Sequence, residues 1–231
     1  MQKITLTFNV KFPFLLDLIH IFECYSDIDN VLYHYEISKN AKEMVNLVES
    51  KLDKPCDIWD FVERKNQVTI TPNPKKVIIC FSGGKDSVNV ALKLKEKYDV
   101  TLYYLKGVNR CYPNEIESAY ECARALDLPL VVQEVKLSGH TTFLENPTKN
   151  QFIFGCALNY GLEHGITTYF FGNSTDEKVA TSNFDRNFSD SSEMFVAFKQ
   201  WISKDLGVEI TNYPIINTAG FGFSIDSILN V

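Results

Sequence analysis

The chain changes its hydrophobic period part-way along. "KITLTFNVKF", residues 3–12, alternates apolar and polar positions, the period-2 pattern of a half-buried strand. "AKEMVNLVESKL", residues 41–52, spaces its apolar positions three and four apart and predicts an amphipathic helix. "NQVTITPNP", residues 66–74, reads as a further strand closed by prolines. No chemical motif stands out up to this point. Pro72 and Pro74 break regular structure, so the boundary is placed at 71–76, after a small N-terminal α+β unit over 1–72.

From residue 75 to 231 the pattern is strand, loop, helix, repeated. "KVIICF" (76–81) is a short β-branched apolar run, the mark of a strand buried on both faces. "DSVNVALKLKEKY" follows as a helix, with Val88, Ala91 and Leu92 at helical spacing. "DVTLYYL" (99–105), "PLVVQEV" (129–135) and "ITTYFFG" (166–172) predict three more strands. "NEIESAYECARALDL" (114–128), "KNQFIFGCALNYGLEHG" (149–165) and "SSEMFVAFKQWISKDLG" (191–207) predict helices, the last two ending at Gly165 and Gly207. This alternation predicts an α/β fold, a mostly parallel doubly wound sheet with helices on both faces.

Composition narrows the class. The 231 residues are 45% hydrophobic, 23% charged and 13% aromatic, which suits a packed globular chain. The formal net charge of −6 gives no overall basic field for nucleic acid, so a nucleic-acid partner is not expected. The cysteines (24, 56, 80, 111, 122, 156) form no C-x-x-C, so neither a zinc ribbon nor a redox pair is signalled. The apolar run "FPFLLDLIHIF" is too short for a membrane span and contains Asp17. A cytoplasmic, membrane-free protein is the expectation.

The candidate chemistry sits in "FSGGKDS", where the buried strand stops. Ligands in such sheets bind beyond the carboxyl ends of the strands. Gly83 and Gly84 permit a tight bend, and the helix that follows offers its first N–H groups and positive dipole end to an anion. Lys85 adds a full charge, and Ser82 and Ser87 add hydroxyls. Asp86 would repel phosphate unless it caps the helix or shares Mg²⁺ with the phosphate. The Walker pattern G-x-x-x-x-G-K-[ST] is not met, and the dinucleotide pattern G-x-G-x-x-G is absent.

"SGGKDS" after a buried strand resembles the signature S-G-G-x-D-S of the PP-loop ATP pyrophosphatases. "NPTKNQFIFGCALNYGLEHGITTYFFGNSTDEK" (146–178) and "NFDRNFSDSSEMFVAFKQWI" (183–202) resemble the 7-cyano-7-deazaguanine synthase branch, of queuosine biosynthesis. The resemblance covers about residues 76–215. It implies the adenine nucleotide α-hydrolase-like fold, with ATP and Mg²⁺ as cofactors. It also implies a ligase that adenylates a carboxylate, releases pyrophosphate, and forms an amide or nitrile with ammonia. The substrate it implies is a 7-carboxy-7-deazaguanine, and a homodimer is possible by the same resemblance.

By that resemblance, Ser82, Lys85, Asp86 and Lys149 act in catalysis. ATP is held by Ser82–Ser87, by Leu105 at the end of the second strand, and by Asn150. Asn173, Asp176 and Arg186 face the substrate, and Asp86 and Asp176 share the metal. Each has a plainer alternative: Lys149 as a solvated surface lysine, Asp176 as a helix N-cap, Arg186 in a surface salt bridge. Lys149 stands where the branch carries arginine. The cysteine cluster that binds zinc in the family has no counterpart after Cys156, so zinc is not expected. Two other functions remain open. One is a sulfur-handling relative, of adenylylsulfate reductase or tRNA thiolase type. The other is a nucleotide-binding module without turnover.

Overall fold

The computed structural model describes residues 4–26, 34–52, 58–64, 69–108, 114–137, 146–174 and 192–217. Asp176 and Arg186 lie outside them, as do Cys56 and Cys111. The elements are β1 (Ile4–Leu6), α1 (Pro13–Ser26), β2 (Tyr35–Ser38), a 3-10 turn (Lys39–Ala41), α2 (Lys42–Leu52), β3 (Trp59–Val62), β4 (Lys76–Cys80), α3 (Lys85–Leu94), β5 (Asp99–Lys106), α4 (Glu115–Leu126), β6 (Leu130–Leu137), α5 (Lys149–Leu162), β7 (Thr168–Ser174), α6 (Ser192–Leu206) and β8 (Thr211–Asn217).

One six-stranded sheet runs β1-β6-β5-β4-β7-β8, and β2 and β3 form a small parallel pair. In the large sheet β1 is antiparallel to β6, and every other pairing is parallel. The α/β fold with a mostly parallel sheet and helices on both faces is therefore present. Strand alternation explains the layers. Val77, Ile79 and Phe81 pack with Val90, Ala91 and Leu94 of α3 and Ala119 and Ala123 of α4. Ile78 and Cys80 turn the other way, toward α1, α5 and α6. With neighbours on both sides and helices on both faces, β4 has no solvent-facing side, so its sequence carries no polar alternation.

The strand order sets the functional edge. From β4 the chain passes through α3 and α4 to β5 and β6 on one side, then returns through α5 to β7 on the other side of β4. The topological switch point therefore lies between β4 and β7, where the two connections diverge and leave a crevice at the carboxyl ends.

Some expectations change. The first strand covers only Ile4–Leu6, because the side chain of Asn159 in α5 draws the chain off the sheet: its Oδ1 accepts from Lys11 N (2.8 Å) and Phe12 N (3.4 Å). Pro13 then opens α1, a position where its missing N–H costs no intrahelical bond. Residues 69–74, the described part of the strand expected over 66–74, are not in a strand. Pro72 and Pro74 lack ladder donors, and Asn73 N instead donates to Gly165 O at 2.8 Å.

The N-terminal segment shares its core with the rest. The side chains of α1, β2 and α2 pack in one cluster with those of α5 and α6. α1 lies against α5 so closely that a Cβ on Gly155 would stand 2.3 Å from Leu18 Cδ2. A buried polar knot adds to this. Asp17 accepts from Arg64 (2.7 Å) and Ser38 N (2.9 Å). Asp205 of α6 accepts from Ser38 Oγ, Asn40 Nδ2 and Trp201 Nε1, each at 2.7 Å. Described side chains before and after the boundary expected at 71–76 pack in one hydrophobic cluster. Among the described residues no helix is long and apolar enough to cross a membrane.

Candidate active site

The loop Ser82–Gly84 leaves β4 beside the switch point and enters α3. Phe81 N donates to Tyr103 O (2.8 Å), which carries the ladder to the last residue before the turn. Gly83 then takes φ +77, a left-handed conformation that L side chains rarely adopt. A Cβ there would meet the α4 backbone at Ala119 N and Ser118 C, both 2.8 Å away. So Gly83 serves two constraints, a positive φ and a backbone-to-backbone contact.

Gly84 is the N-cap of α3 and makes no side-chain cap bond. The turn is closed from within. Ser82 Oγ accepts from Gly84 N (3.3 Å), and Ser87 Oγ donates to Gly84 O (3.0 Å). Ser87 is buried, Asp86 half-buried and Lys85 exposed. Cys122 of α4 donates its thiol to Gly83 O at 3.6 Å, a second tie between loop and helix. The result is a braced turn that places a lysine and the first N–H groups of a helix, the donors of an anion site, beside the Asp86 carboxylate at the carboxyl edge of the sheet.

Gly172 of β7 completes the crevice wall. A Cβ on it would stand 2.8 Å from Ser87 N and 3.0 Å from Asp86 C. The first turn of α3 thus rests on bare β7 backbone. A glycine inside a strand pattern signals such an approach, and "FFGN" carries that signal.

The other expected residues divide. Asn173 follows Gly172 on β7 and pairs in register with Ile216, so its backbone is at the same edge as the loop. Leu105 is buried in the core facing α5, leaving only its backbone to border a ligand. Its neighbour Tyr104 points to the α3 and α4 face and donates to Glu115 Oε2 at 3.1 Å. Burial and the adjacent Glu115 push the Tyr104 phenol up, so it stays protonated at neutral pH.

Lys149 and Asn150 open α5. That helix runs antiparallel to the strands: Phe154 packs on Phe171, and further along Gly161 approaches Tyr169 and Ile78. Its N-terminus is therefore at the carboxyl edge, on the opposite face of the sheet from α3. Thr148, its N-cap, makes no side-chain cap bond to α5. Instead its hydroxyl and its N–H both donate to Asn146 Oδ1, at 2.7 and 2.8 Å.

Of the proposed metal pair, Asp86 is placed in the first turn of α3 and Asp176 is outside the described residues. Mg²⁺ bound with phosphate is held by one or two protein carboxylates, and Asp86 is the carboxylate within the described loop. Among the described residues no group of three His, Cys, Asp or Glu side chains could hold a metal ion. The described cysteines (24, 80, 122, 156) are unbridged. Burial pushes the Cys80 and Cys156 thiols up, away from thiolate chemistry at neutral pH.

No family model matches the chain, and no curated protein matches it. Among solved structures, it is similar to a predicted subunit of a tRNA methyltransferase from Methanocaldococcus jannaschii. The identity is 19%, over 67% of this chain and 73% of that one, with a TM-score of 0.38. It is also similar to an NH3-dependent NAD synthetase from Campylobacter jejuni, at 14% identity over 73% of this chain and 76% of that one, with a TM-score of 0.36. Likeness at this level assigns neither family nor reaction to the chain.

Proposed function

We propose that the protein is an ATP-dependent, AMP-forming ligase of PP-loop type. The observation that carries this reading is the position of "SGGKDS": a braced turn at the switch point between β4 and β7, packed on backbone at both Gly83 and Gly172. A turn built this tightly holds its N–H groups in place before a ligand arrives, which is how electrostatic stabilisation is obtained without reorganisation.

In the proposed reaction a carboxylate oxygen of the substrate attacks the α-phosphorus of ATP. The bond from that phosphorus to the α,β-bridging oxygen breaks, and pyrophosphate leaves with the electron pair. Ammonia then attacks the acyl carbon and displaces AMP, giving the amide; a second activation of the amide oxygen would lead to a nitrile. Lys85 and the first-turn N–H groups of α3 bind the departing phosphates, and Ser82 and Ser87 keep the turn in shape. Asp86 would hold Mg²⁺ against the phosphates, with the metal supplying charge neutralisation. Lys149 and Asn150 approach from the opposite face. Asn173, Asp176 and Arg186 are assigned to the acceptor, for which a 7-carboxy-7-deazaguanine is the first candidate.

The test is product analysis. The full chain is incubated with ATP, Mg²⁺, ammonia and 7-carboxy-7-deazaguanine or other carboxylates. AMP and pyrophosphate in equal amounts support the reading, and ADP with phosphate overturns it. Tight ATP binding with no product from any carboxylate would favour the non-catalytic module instead.

A further inference from the structure

The start of α5 is held by a buried asparagine, the first residue of the stretch 146–178. Asn146 is 4% exposed and Thr148 fully buried. Asn146 works in both directions. Its Oδ1 accepts from Thr148 N (2.8 Å) and Thr148 Oγ1 (2.7 Å), while its Nδ2 donates to Phe22 O in α1 (2.9 Å). Its own carbonyl accepts from Lys149 N at 3.2 Å. One helical turn on, Phe152 packs its ring on Phe22, with centroids 4.8 Å apart. Below that, Gly155 lets Leu15 and Leu18 of α1 come into contact with α5.

A threonine at an N-cap ordinarily accepts from the second or third N–H of its own helix. Here the Thr148 hydroxyl is turned away to Asn146, so the place of the helix start is set by a bond to α1. The residue fixed by this arrangement is Lys149, with Asn150 beside it.

We infer that Asn146 is a positioning residue for the nucleotide site, and that α1 belongs to that site by anchoring, through Asn146, the Lys149–Asn150 end of α5. This rests on the nucleotide reading above and gives the N-terminal segment a role in it. The hydrogen bonds from Asn146 fix a main-chain position, and Lys149 carries that position to the phosphates.

The test measures ATP affinity by calorimetry with Mg²⁺ on the full chain, beside thermal melting. The variants are Asn146→Ala, Thr148→Val, Thr148→Ser, Lys149→Ala and the double variant Asn146→Ala/Lys149→Ala. Losing the Asn146 bonds should weaken ATP binding about tenfold, and losing the Thr148 hydroxyl about threefold. Thr148→Ser keeps the hydroxyl and should bind within about twofold of wild type, since its donor is retained. The double variant should bind within about twofold of the weaker single variant, because the two residues act as one unit.

Asn146→Ala that melts earlier but binds ATP as wild type does would overturn the inference. So would an Asn146→Ala effect that adds in full to that of Lys149→Ala. If Asn146→Ala does not fold, the Thr148→Val and Thr148→Ser pair decides: equal affinities in the two sink the inference. Wild-type protein that fails to bind ATP would sink the nucleotide reading itself, a result distinct from flat variants on a binding-competent wild type.

Discussion

Gly172→Ala tests the crevice wall directly. The added Cβ would stand 2.8 Å from Ser87 N and 3.0 Å from both Asp86 C and Ser87 Cα, where ordinary contact begins at 3.4 Å. The first of these gaps must open by 3.4 − 2.8 = 0.6 Å. The atoms in the way are backbone, so no flexible side-chain end can give way. The start of α3 cannot retreat easily, since its loop is pressed on the α4 backbone at Gly83 and tied to α4 by the Cys122 thiol, which donates to Gly83 O. Overpacking of this kind costs about 1–3 kcal/mol. A 1 Å misplacement in a reacting site costs about a hundredfold in rate, so a shift of this size should lower AMP formation by roughly tenfold or somewhat more.

The assay follows AMP and pyrophosphate, ATP affinity and the melting temperature together. Gly207→Ala is the control. Gly207 differs in having a positive φ, +64, and nothing lies within 4 Å of its would-be Cβ. It should lower the melting temperature through backbone strain and leave ATP affinity alone. Wild-type turnover and ATP binding in Gly172→Ala would refute the reasoning. An equal loss of ATP affinity in both variants would refute it too.

Further outcomes follow from the same geometry. Lys85→Ala should abolish AMP formation with the melting temperature within about a degree of wild type, because an exposed side chain away from special features contributes little to stability; a large drop in melting temperature would show a structural role. Trp201→Phe removes the 2.7 Å donor to Asp205 Oδ2 inside a buried knot and should cost about 1–3 kcal/mol in denaturant unfolding. Burial raises the Asp17 carboxyl above its ordinary 3.8, although the Arg64 and Ser38 bonds pull the other way and Asp205 adds to the rise. The folded state therefore holds the proton more tightly than the unfolded chain. Stability from this group is fullest below the unfolded value and is lost as pH rises through the folded one. The melting temperature of wild type relative to Asp17→Asn should fall on going from acidic to neutral pH, and a rise would contradict the assignment.

What could be read from the chain follows how local each feature is. β4, β5 and β7 are buried on both faces, so their apolar runs stand out without alternation. The loop was legible because its residues are contiguous. β8 was not: Pro214 argues against a strand, yet β8 is the last strand in the sheet order, where a missing donor is tolerated. β2 and β3 are four residues each and are stabilised by packing on α1 and α2, which no short window displays. Asp17 looked like a polar interruption in an apolar run, and its partner Arg64 is 47 positions away. Within the site, Gly172 against Ser87 and Asn146 against Phe22 are contacts between distant segments. Both positions lie in stretches the sequence brings out, but their partners, Ser87 and Phe22, are beyond what motif spacing reads.

Adenylation and phosphoryl transfer differ in which bond of ATP is broken. The most direct measurement uses the full chain with Mg²⁺, ammonia, 7-carboxy-7-deazaguanine and ATP labelled separately at the α and γ phosphates. Adenylation should place α label in AMP and γ label in pyrophosphate, in equal amounts and dependent on the carboxylate. Label appearing in ADP and inorganic phosphate would contradict it.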